Sequence, residues 1–399
     1  MDEWRDDPRT ASAWWCAVVE PGDAHAVALR EALGDRAAIE WALSEDGPGP
    51  LPEALARDGR GRSRGFEEAW ERWRPRAVVA DPVGDLEDLE RLGGRLAVPG
   101  DREWPDALGD LGGYRPHALW LRGTAPGGCP ASSSAASVCV VGARAATSYG
   151  VRTAADLGLE LADQGVDVVS GGAFGIDSAA HRGALAAAGG HTTSVMAGGL
   201  GQLYPAANTD LYERLLDGGG TILSEVPPSW RPAKWRFLGR NRVIAALSAV
   251  CVVVEASERS GALSTARHAV DLGRPVGAVP GPVTSGASRG CHELLRHGAV
   301  LVRDARDVLE LLGGLALARE EPLLGAPVGT DRGADALPPD QRRVWEALPK
   351  RSETTVERVV RASGLSRREA LAALGGLQLA GWVRPGPGGW ARAAPTMAP

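Results

Sequence analysis

The chain has 399 residues, of which 44% are hydrophobic, and a formal net charge of −6, a composition typical of a globular protein with two or three domains. No stretch approaches the length of uninterrupted apolar sequence that a membrane-spanning helix needs, and the acidic N-terminus MDEWRDDPRT is unlike a secretory signal peptide. The five cysteines lie far apart without CxxC spacing, which argues against disulfides or a zinc site. We therefore expect a cytoplasmic protein without a membrane partner or a bound metal.

The first hundred residues are rich in tryptophan and show mostly helical periodicity, as in HAVALREALGD and FEEAWERW. They hold 13 basic and 21 acidic side chains, a net charge of −8. We predict an N-terminal helical domain over residues 1–101. The stretch REWPDALGDLGGYRPHALWLRG follows, and then a connector rich in Pro, Gly, Ser and Ala, TAPGGCPASSSAAS.

From Val138 onward, short apolar runs alternate with segments of helical length, such as SVCVVG before YGVRTAADLGLELADQG. Nearly unbroken apolar runs are typical of parallel strands that are buried on both faces, and the segments between them suit right-handed crossover helices. The pattern predicts an α/β fold, a doubly wound and mostly parallel sheet. We assign residues 102–320 to this domain.

The α/β pattern ends in a linker rich in Pro, Gly and acidic residues, which we place at 321–336. Residues 337–399 then show three helical segments and a Gly-centred hairpin, WVRPGPGGWAR. That order predicts a winged-helix domain. Its net charge is +5, from 10 basic and 5 acidic side chains. The same fold binds DNA in some proteins and docks other proteins elsewhere, so both roles stay open for this tail.

The predicted strands end in stretches rich in small residues: VVGARAATSYG, SGGAFGID, MAGGLGQLYP, VEASERSGALST and VPGPVTSGASRG. Ligands of open parallel sheets bind at this edge, and glycine lets backbone N–H groups approach a phosphate closely. Residues suited to start the following helices are Ser148, Ser178, Ser264 and Ser288. Five such loops at one edge favour an anionic ligand over glycines that only form tight turns.

Several catalytic motifs are missing. Neither lysine, Lys234 nor Lys350, follows a glycine as a P-loop requires, and no G-x-G-x-x-G follows a predicted strand. Ser170, Asp177 and His181 resemble a catalytic triad only in outline, because Asp at a helix start and His one turn later have ordinary structural uses, and no G-x-S-x-G elbow is present. We therefore predict no catalytic residues and no cofactor.

The stretch KWRFLGRNR, residues 234–242, is unusual in this acidic chain. Between Ser229 and Val243 there are five basic side chains and no acidic one. Cations attract a phosphate backbone, and aromatic faces let unpaired bases stack; the aromatic residues here are Trp230, Trp235 and Phe237. The mixture is typical of a single-stranded nucleic-acid surface. The alternative is a solvated basic loop whose aromatic side chains pack into the core.

These motifs together resemble the DNA-processing protein A family (DprA, also called Smf). The resemblance extends from about Trp104 to Leu312 and is carried by GARAATSYG (142–150), SGGAFGIDSAAH (170–181), MAGGLGQLYP (196–205), LSE (223–225), KWRFLGRNRVIAALS (234–248), VVEASERSGALSTARHA (252–269) and GRPVGAVPG (273–281). So many motifs in the same order make the resemblance specific.

The resemblance implies an extended Rossmann-like domain that binds single-stranded DNA without sequence preference. It also implies that the protein is a homodimer without enzymatic activity, which protects DNA and helps to load a RecA-type recombinase during natural transformation. On the matching positions, the family's DNA contacts fall on Arg144, Lys234, Phe237, Arg240, Asn241 and Arg242. Four residues of the Gly-rich strand ends complete the expected DNA-binding set: Gly142, Ser170, Gly171 and Gly281.

Two other function classes remain as alternatives. Phosphoribohydrolases of the lysine-decarboxylase-like (LOG) type share a Rossmann-like sheet, but the nearest stretch here, AGGLGQLY, lacks the Thr and Glu of their Pro-Gly-Gly-x-Gly-Thr-x-x-Glu motif. A protein-docking adaptor is the other alternative, suggested by the acidic N-terminal region and the winged tail.

Overall fold

A computed structural model describes residues 3–56, 60–123, 137–313, 337–349 and 352–393. The chain divides into two compact units, Met1–Ala318 and Arg319–Pro399. The predicted connector after residue 123 and the predicted linker at 321–336 lie outside the described residues, except for Ser137. In the described part of the chain, no helix is both long enough and apolar enough to cross a membrane.

The N-terminal region is helical, as the periodicity predicts. Its α-helices are α1 (Pro8–Val18), α2 (Ala24–Leu33), α3 (Asp35–Leu43), α4 (Glu53–Ala56), α5 (Arg60–Ala77) and α6 (Pro82–Arg91). The carboxylate of Asp7 caps α1 by accepting a hydrogen bond from the Thr10 amide at 2.9 Å, and Asp23 caps α2 in the same way. The tryptophans form much of the core of this region: Trp14, Trp15 and Trp73 are fully buried.

A nine-stranded sheet forms the centre of the first unit. Its strands are β1 (Gly94–Ala97), β2 (Leu119–Gly123), β3 (Ser137–Val141), β4 (Asp167–Ser170), β5 (Thr192–Val195), β6 (Thr221–Ser224), β7 (Val250–Val253), β8 (Val276–Ala278) and β9 (Val300–Leu301). The spatial order is β1-β2-β6-β5-β4-β3-β7-β8-β9. In this spatial order, the last seven strands, β6-β5-β4-β3-β7-β8-β9, are parallel to one another. Strands β1 and β2 extend the sheet beyond β6 in antiparallel pairing.

Helices cover both faces of this sheet: α7 (Ser148–Asp163), α8 (Ile176–Ala184), α9 (Thr209–Asp217), α10 (Lys234–Ala246), α11 (Ala262–Asp271), α12 (Arg289–Arg296) and α13 (Ala305–Gly313). Alternate residues of β3 enter different cores. Cys139 and Val141 pack with α10 and α11, whereas Val138 and Val140 pack with α7, α8 and α13. Burial on both faces explains the unbroken apolar run, and the extended Rossmann-like prediction is confirmed.

The order of the strands places one crevice at the carboxyl edge. Strands β4, β5 and β6 lie on one side of β3, and β7, β8 and β9 lie on the other. The crossover that follows β3 therefore leads to one side of the sheet, and the crossover that follows β7 leads to the other side. The loops at the ends of these two neighbouring strands diverge as a result. Open α/β sheets bind their ligands at such a switch point.

The second unit contains α14 (Pro339–Ala347), α15 (Val356–Ser363), α16 (Arg367–Leu379) and the antiparallel hairpin β10 (Val383–Gly386) and β11 (Gly389–Arg392). Ser366 and Glu369 form a capping box at the start of α16. A small core around Val344, Val359 and Leu374 joins the three helices. The predicted winged-helix architecture is confirmed.

Strand β1 lies within the range that the sequence assigns to the N-terminal helical domain, yet it pairs with β2 and belongs to the sheet. At four residues it is too short for its alternation to stand out beside the helical segment that precedes it. The domain boundaries at residues 101, 320 and 336 stay predictions.

Candidate nucleic-acid interface

A cleft of about 440 Å³ lies at the switch point, between the loops that follow β3 and β7 and the first half of α10. Its lining includes six of the ten predicted DNA-binding residues: Gly142, Arg144, Lys234, Phe237, Arg240 and Asn241. The sheet brings Arg144, which is about ninety residues from Lys234 in sequence, to the same opening. The remaining four predicted residues lie outside the lining.

Helix α10 supplies most of the cleft's functional groups. It begins at Lys234, and Phe237 and Asn241 follow at three and seven residues, so the three side chains recur on one face of the helix. The last turn of α10, residues 243–246, is apolar and buried against the sheet, and Leu247, directly after the helix, is buried with it. This buried end therefore fixes the helix, and the turns before it supply most of the α10 side chains that line the cleft.

Phe237 lies among cationic side chains. The guanidinium carbon of Arg144 is 4.7 Å from the centre of the Phe237 ring, and that of Arg240 is 5.9 Å away. Tyr204 packs against the same ring at 5.8 Å with its plane tilted by 64°. Arg144 and Lys234 are both exposed. The cleft thus joins an aromatic face with cations that solvent or a ligand can reach.

Arg240 is the buried cation of the cleft. Its Nη1 donates to the backbone oxygens of Gly171, at 2.8 Å, and of Val195, and its Nε is buried without a hydrogen-bond partner among the described residues. Burial lowers the pKa of Arg240 to about 10, although Asp177 opposes this shift. The guanidinium therefore stays charged at neutral pH.

Asp177 lines the floor of the cleft beside Arg240. Its carboxylate accepts hydrogen bonds from the backbone amides of Gly171, at 3.2 Å, and Ala173, at 3.4 Å. Burial raises the pKa of Asp177, and the charge of Arg240 and these amides act in the opposite direction. Its position at the first turn of α8 fits the structural use expected from the sequence.

Two glycines are required by close contacts. A Cβ at Gly142 would lie 2.5 Å from the side chain of Ile176 and 2.8 Å from the Glu255 carbonyl oxygen. A Cβ at Gly171 would lie 2.5 Å from the Arg240 guanidinium. Gly142 lines the cleft, whereas Gly171 supports it from behind through its contact with Arg240.

Ser170 and Gly281 also lie outside the lining of the cleft. The Ser170 hydroxyl is fully buried and donates to the Val140 carbonyl at 2.7 Å. The Gly281 carbonyl oxygen is 3.0 Å from Nε2 of His292, and a Cβ at Gly281 would overlap the Ser288 hydroxyl. The structure gives both residues local structural contacts.

Arg242 is held in a buried ion pair. Its Nη1 and Nη2 donate to the two carboxylate oxygens of Glu225 at 2.7 and 2.5 Å, and its Nε donates to the Tyr114 carbonyl at 2.8 Å. The two side chains are only 7% and 6% exposed. The charge of Arg242 is therefore compensated inside the protein, and its assignment to DNA stays a prediction without support from this geometry.

Trp230 and Trp235 do not line the cleft but a separate groove beside α5 and α6. The Trp235 indole is 62% exposed and donates to the Glu20 carboxylate at 3.2 Å. The guanidinium carbons of Arg76 and Arg236 lie 4.9 and 4.4 Å from the centre of the Trp230 ring. Of the three aromatic residues in the basic stretch, Phe237 is the one placed in the cleft.

The sequence analysis predicted the strand-end loop after β7 but assigned none of its residues to DNA; in the structure this loop and the start of α11 form one wall of the cleft, with Ser260, Gly261, Ala262 and Thr265. Asn241 donates to the Gly261 carbonyl at 3.2 Å and so connects this wall to α10. The signal available was the Gly-rich stretch VEASERSGALST at the carboxyl end of a strand.

The three residues that resemble a triad are engaged separately. The Ser170 hydroxyl bonds the Val140 carbonyl, and the Asp177 carboxylate bonds two backbone amides. Nδ1 of His181 is 2.7 Å from the Thr192 hydroxyl. Burial lowers the pKa of His181 to about 3, with further contributions from Arg240 and Arg182. These contacts support structural roles for all three.

Comparison with known proteins agrees with the fold. Residues 95–313 match the family model of the DNA recombination-mediator protein A, and residues 329–389 match the DprA winged helix domain. Curated chains named as DNA processing protein DprA in two strains of Mycobacterium tuberculosis are 46% identical over 326 residues, which cover 79% of this chain and 81% of theirs.

Protein Smf of Escherichia coli is 37% identical over 260 residues, covering 63% of this chain and 67% of its own length. The X-ray structure of DNA processing protein A from Streptococcus pneumoniae superposes with a TM-score of 0.57 at 27% identity, over 77% of this chain and 97% of that one. The chain belongs to the DNA recombination-mediator protein A (DprA/Smf) family. It is thus a member of a family of DNA-processing proteins, as its sequence motifs indicate.

Proposed function

We propose that the chain binds single-stranded DNA without sequence preference in the cleft at the switch point. The observation that carries this proposal is the ring of Phe237 with Arg144, Arg240 and the exposed Lys234 around it. Cations supply attraction to phosphates that does not depend on sequence, and an aromatic face accepts any base. Asn241 completes the proposed contact set on the same face of α10.

The geometry supports separate tasks for these side chains. Lys234 is exposed at the N-terminus of α10, where the helix also favours an anion, so it suits a phosphate. Arg144 covers the Phe237 ring in the free protein, so a base that stacks on this face displaces the guanidinium toward the backbone of the strand. Arg240 is too deeply buried to follow a mobile ligand and supplies a fixed positive charge.

This arrangement favours unpaired over paired DNA. A base can reach the Phe237 ring only if it leaves the interior of a helix, and unpairing a duplex costs several kcal/mol. A single strand offers its bases without that cost. Arg242, Ser170, Gly171 and Gly281 support the surrounding loops in this proposal rather than touching DNA.

We further propose that the protein acts by binding and not by catalysis, and that it works in the cytoplasm as a homodimer. Its task is to protect incoming single strands and to help load a RecA-type recombinase onto them, as in natural transformation. The family resemblance supports these steps. The separate structural contacts of Ser170, Asp177 and His181 are consistent with a role that needs no nucleophile.

Fluorescence anisotropy across a salt series tests the binding proposal with three probes: oligo-dT, the matched dT·dA duplex and a nucleoside monophosphate. We expect oligo-dT to bind more tightly than the duplex at each salt concentration, with log affinity falling linearly with log salt by about 0.7 per phosphate contact. Equal affinity for the single strand and the duplex would contradict the stacking component.

The same titration separates the alternatives. Tight binding of the monophosphate with weak binding of oligo-dT would favour a nucleotide enzyme of the phosphoribohydrolase type. If none of the three probes binds, a protein-docking adaptor would become the better account.

A further inference from the structure

The first turn of α10 needs an external source of stabilisation. It carries two cations, Lys234 and Arg236, at the positive end of the helix dipole, which disfavours positive charge. Its N-cap position is Ala233, and among the described residues no side chain caps this end. The same turn carries Lys234 and Phe237, so its stability decides whether these two groups are held in the cleft.

Glu20, which follows α1 in the N-terminal region, supplies the missing negative charge. Its carboxylate accepts hydrogen bonds from Arg236 Nε at 2.8 Å and Arg236 Nη2 at 3.0 Å. It also accepts from the Trp235 indole at 3.2 Å and from Arg76 Nη2 at 2.7 Å. Four donors from α5 and α10 thus converge on one carboxylate.

The groups around this carboxylate are themselves packed together. The guanidinium groups of Arg76 and Arg236 both contact the ring of Trp230. Arg236 Nη1 also donates to the Arg231 carbonyl at 2.6 Å, which fixes the segment before the helix. Burial alone would raise the pKa of Glu20, but the bonds from Arg236, Arg76 and Trp235 outweigh it and lower the pKa to about 2.

A second contact joins the same N-terminal segment to α10 further along the helix. Gly22 has a φ of +83° and lies against the Arg242 guanidinium, so that a Cβ at this position would be 3.3 Å from Nε of Arg242. Residues 20–22 therefore contact α10 at two side chains six residues apart, Arg236 and Arg242, neither of which lines the cleft.

We propose that Glu20 is a positioning residue for single-stranded DNA binding, and that the N-terminal helical region braces α10 from behind through it. This inference rests on the proposed function of the cleft. It gives the N-terminal region a task, to hold Lys234 and Phe237 in place. Glu20 itself touches no DNA in this account.

A Glu20→Gln variant separates bracing from simple electrostatics. The substitution removes a negative charge near a DNA-binding surface, so charge alone predicts tighter binding. Bracing predicts the reverse, because an NH2 group replaces one of the two carboxylate oxygens and cannot accept from Arg76, Trp235 or Arg236, and the remaining carbonyl oxygen carries no charge. From the usual size of charge effects at helix ends, we expect oligo-dT affinity to weaken about three- to tenfold.

The measurements are oligo-dT affinity across a salt series and hydrogen exchange of the α10 amides, both well below the melting temperature. We expect weaker binding, an unchanged salt slope because no phosphate contact is lost, and faster exchange confined to the first turn of α10. Glu67→Gln is the matched control, since it removes an exposed glutamate on α5; it should bind like the parent chain or slightly more tightly.

Tighter binding by Glu20→Gln, or unchanged binding and exchange, would overturn the proposal. If Glu20→Gln fails to fold, Glu20→Asp keeps the charge but shortens the side chain, and it should show a smaller loss of the same kind; parent-like affinity and exchange in that variant would overturn the proposal as well. If the parent chain does not bind oligo-dT, the proposed function fails, whereas exchange of α10 still tests the brace.

Discussion

Lys234 lies at the opening of the cleft, exposed and at the N-terminus of α10. Lys234→Ala should remove one phosphate contact, and binding should weaken to a similar extent for oligonucleotides of any sequence. The slope of log affinity against log salt should fall by about 0.7, the value for a single phosphate contact on a single strand. Titration of the parent and the variant over one salt series measures this. An unchanged slope and affinity would show that Lys234 is only solvated.

Phe237 lies one turn further along α10 and is predicted to contribute through stacking. Phe237→Ala should weaken oligo-dT binding by about 1–3 kcal/mol and leave the salt slope nearly unchanged, because no charge is lost. Tyr114→Ala is a suitable control, since it removes an exposed aromatic side chain outside the cleft. A loss of similar size in both variants would argue against a specific stacking site.

Arg242 is predicted from the structure to contribute to stability. Arg242→Met leaves the carboxylate of Glu225 buried without its partner, and this should lower the free energy of unfolding by about 3–5 kcal/mol. Urea denaturation measures the loss. Replacing both members of the pair by apolar residues should recover much of it, because no charge is then left buried. If Arg242→Met is as stable as the parent but no longer binds oligo-dT, the result would support the DNA contact of Arg242 that the family resemblance implies.

Among the elements, α8 couples the stability of the sheet to pH through His181. Burial lowers the pKa of His181 to about 3, whereas an unfolded histidine titrates near 6.5. Between these values the unfolded chain binds a proton that the folded chain does not, so stability is lost as pH falls below about 6.5. At pH 5.5 the loss from this residue should be about 1.4 kcal/mol relative to pH 8.

His181→Gln tests this dependence, because it removes the titration and keeps a polar group near the Thr192 hydroxyl. Urea denaturation at pH 8 and pH 5.5 gives the free energy of unfolding of both proteins. Between these two pH values it should fall by about 1.4 kcal/mol more in the parent than in the variant. The comparison isolates His181 from His117, whose pKa burial and nearby arginines also lower. Parallel losses of stability in the two proteins would mean that His181 does not titrate as described.

The same scale shows why most elements could be predicted from the sequence. Strands β3 and β7 appear as unbroken apolar runs because both of their faces are buried, and helices such as α7 have the length and period of a crossover. Strand β1 has four residues and obtains its pairing from β2, more than twenty residues later. Its identity depends on a partner that local periodicity does not contain.

For the molecule as a whole, the position of the candidate site could be predicted from the sequence, because it follows from the order of the strands. The rule that ligands bind beyond the carboxyl ends of parallel strands correctly brings Arg144 and Lys234 to one opening. Which cations of the basic stretch face the cleft and which form internal ion pairs could not be predicted, because the partners lie far away in the sequence. Arg236 pairs with Glu20 and Arg242 pairs with Glu225, so two of the five cations in the basic stretch form ion pairs within the protein.

Ultraviolet cross-linking of oligo-dT to the full chain, followed by mass spectrometry of the peptides, tests the central claim most directly. The account predicts cross-links within residues 234–241, with Phe237 the main site, and their loss in Phe237→Ala. Competition by unlabelled oligo-dT should remove them, and the matched duplex should compete poorly. Cross-links confined to residues 337–399, or to Trp230 and Trp235 in the groove beside α5 and α6, would contradict the account.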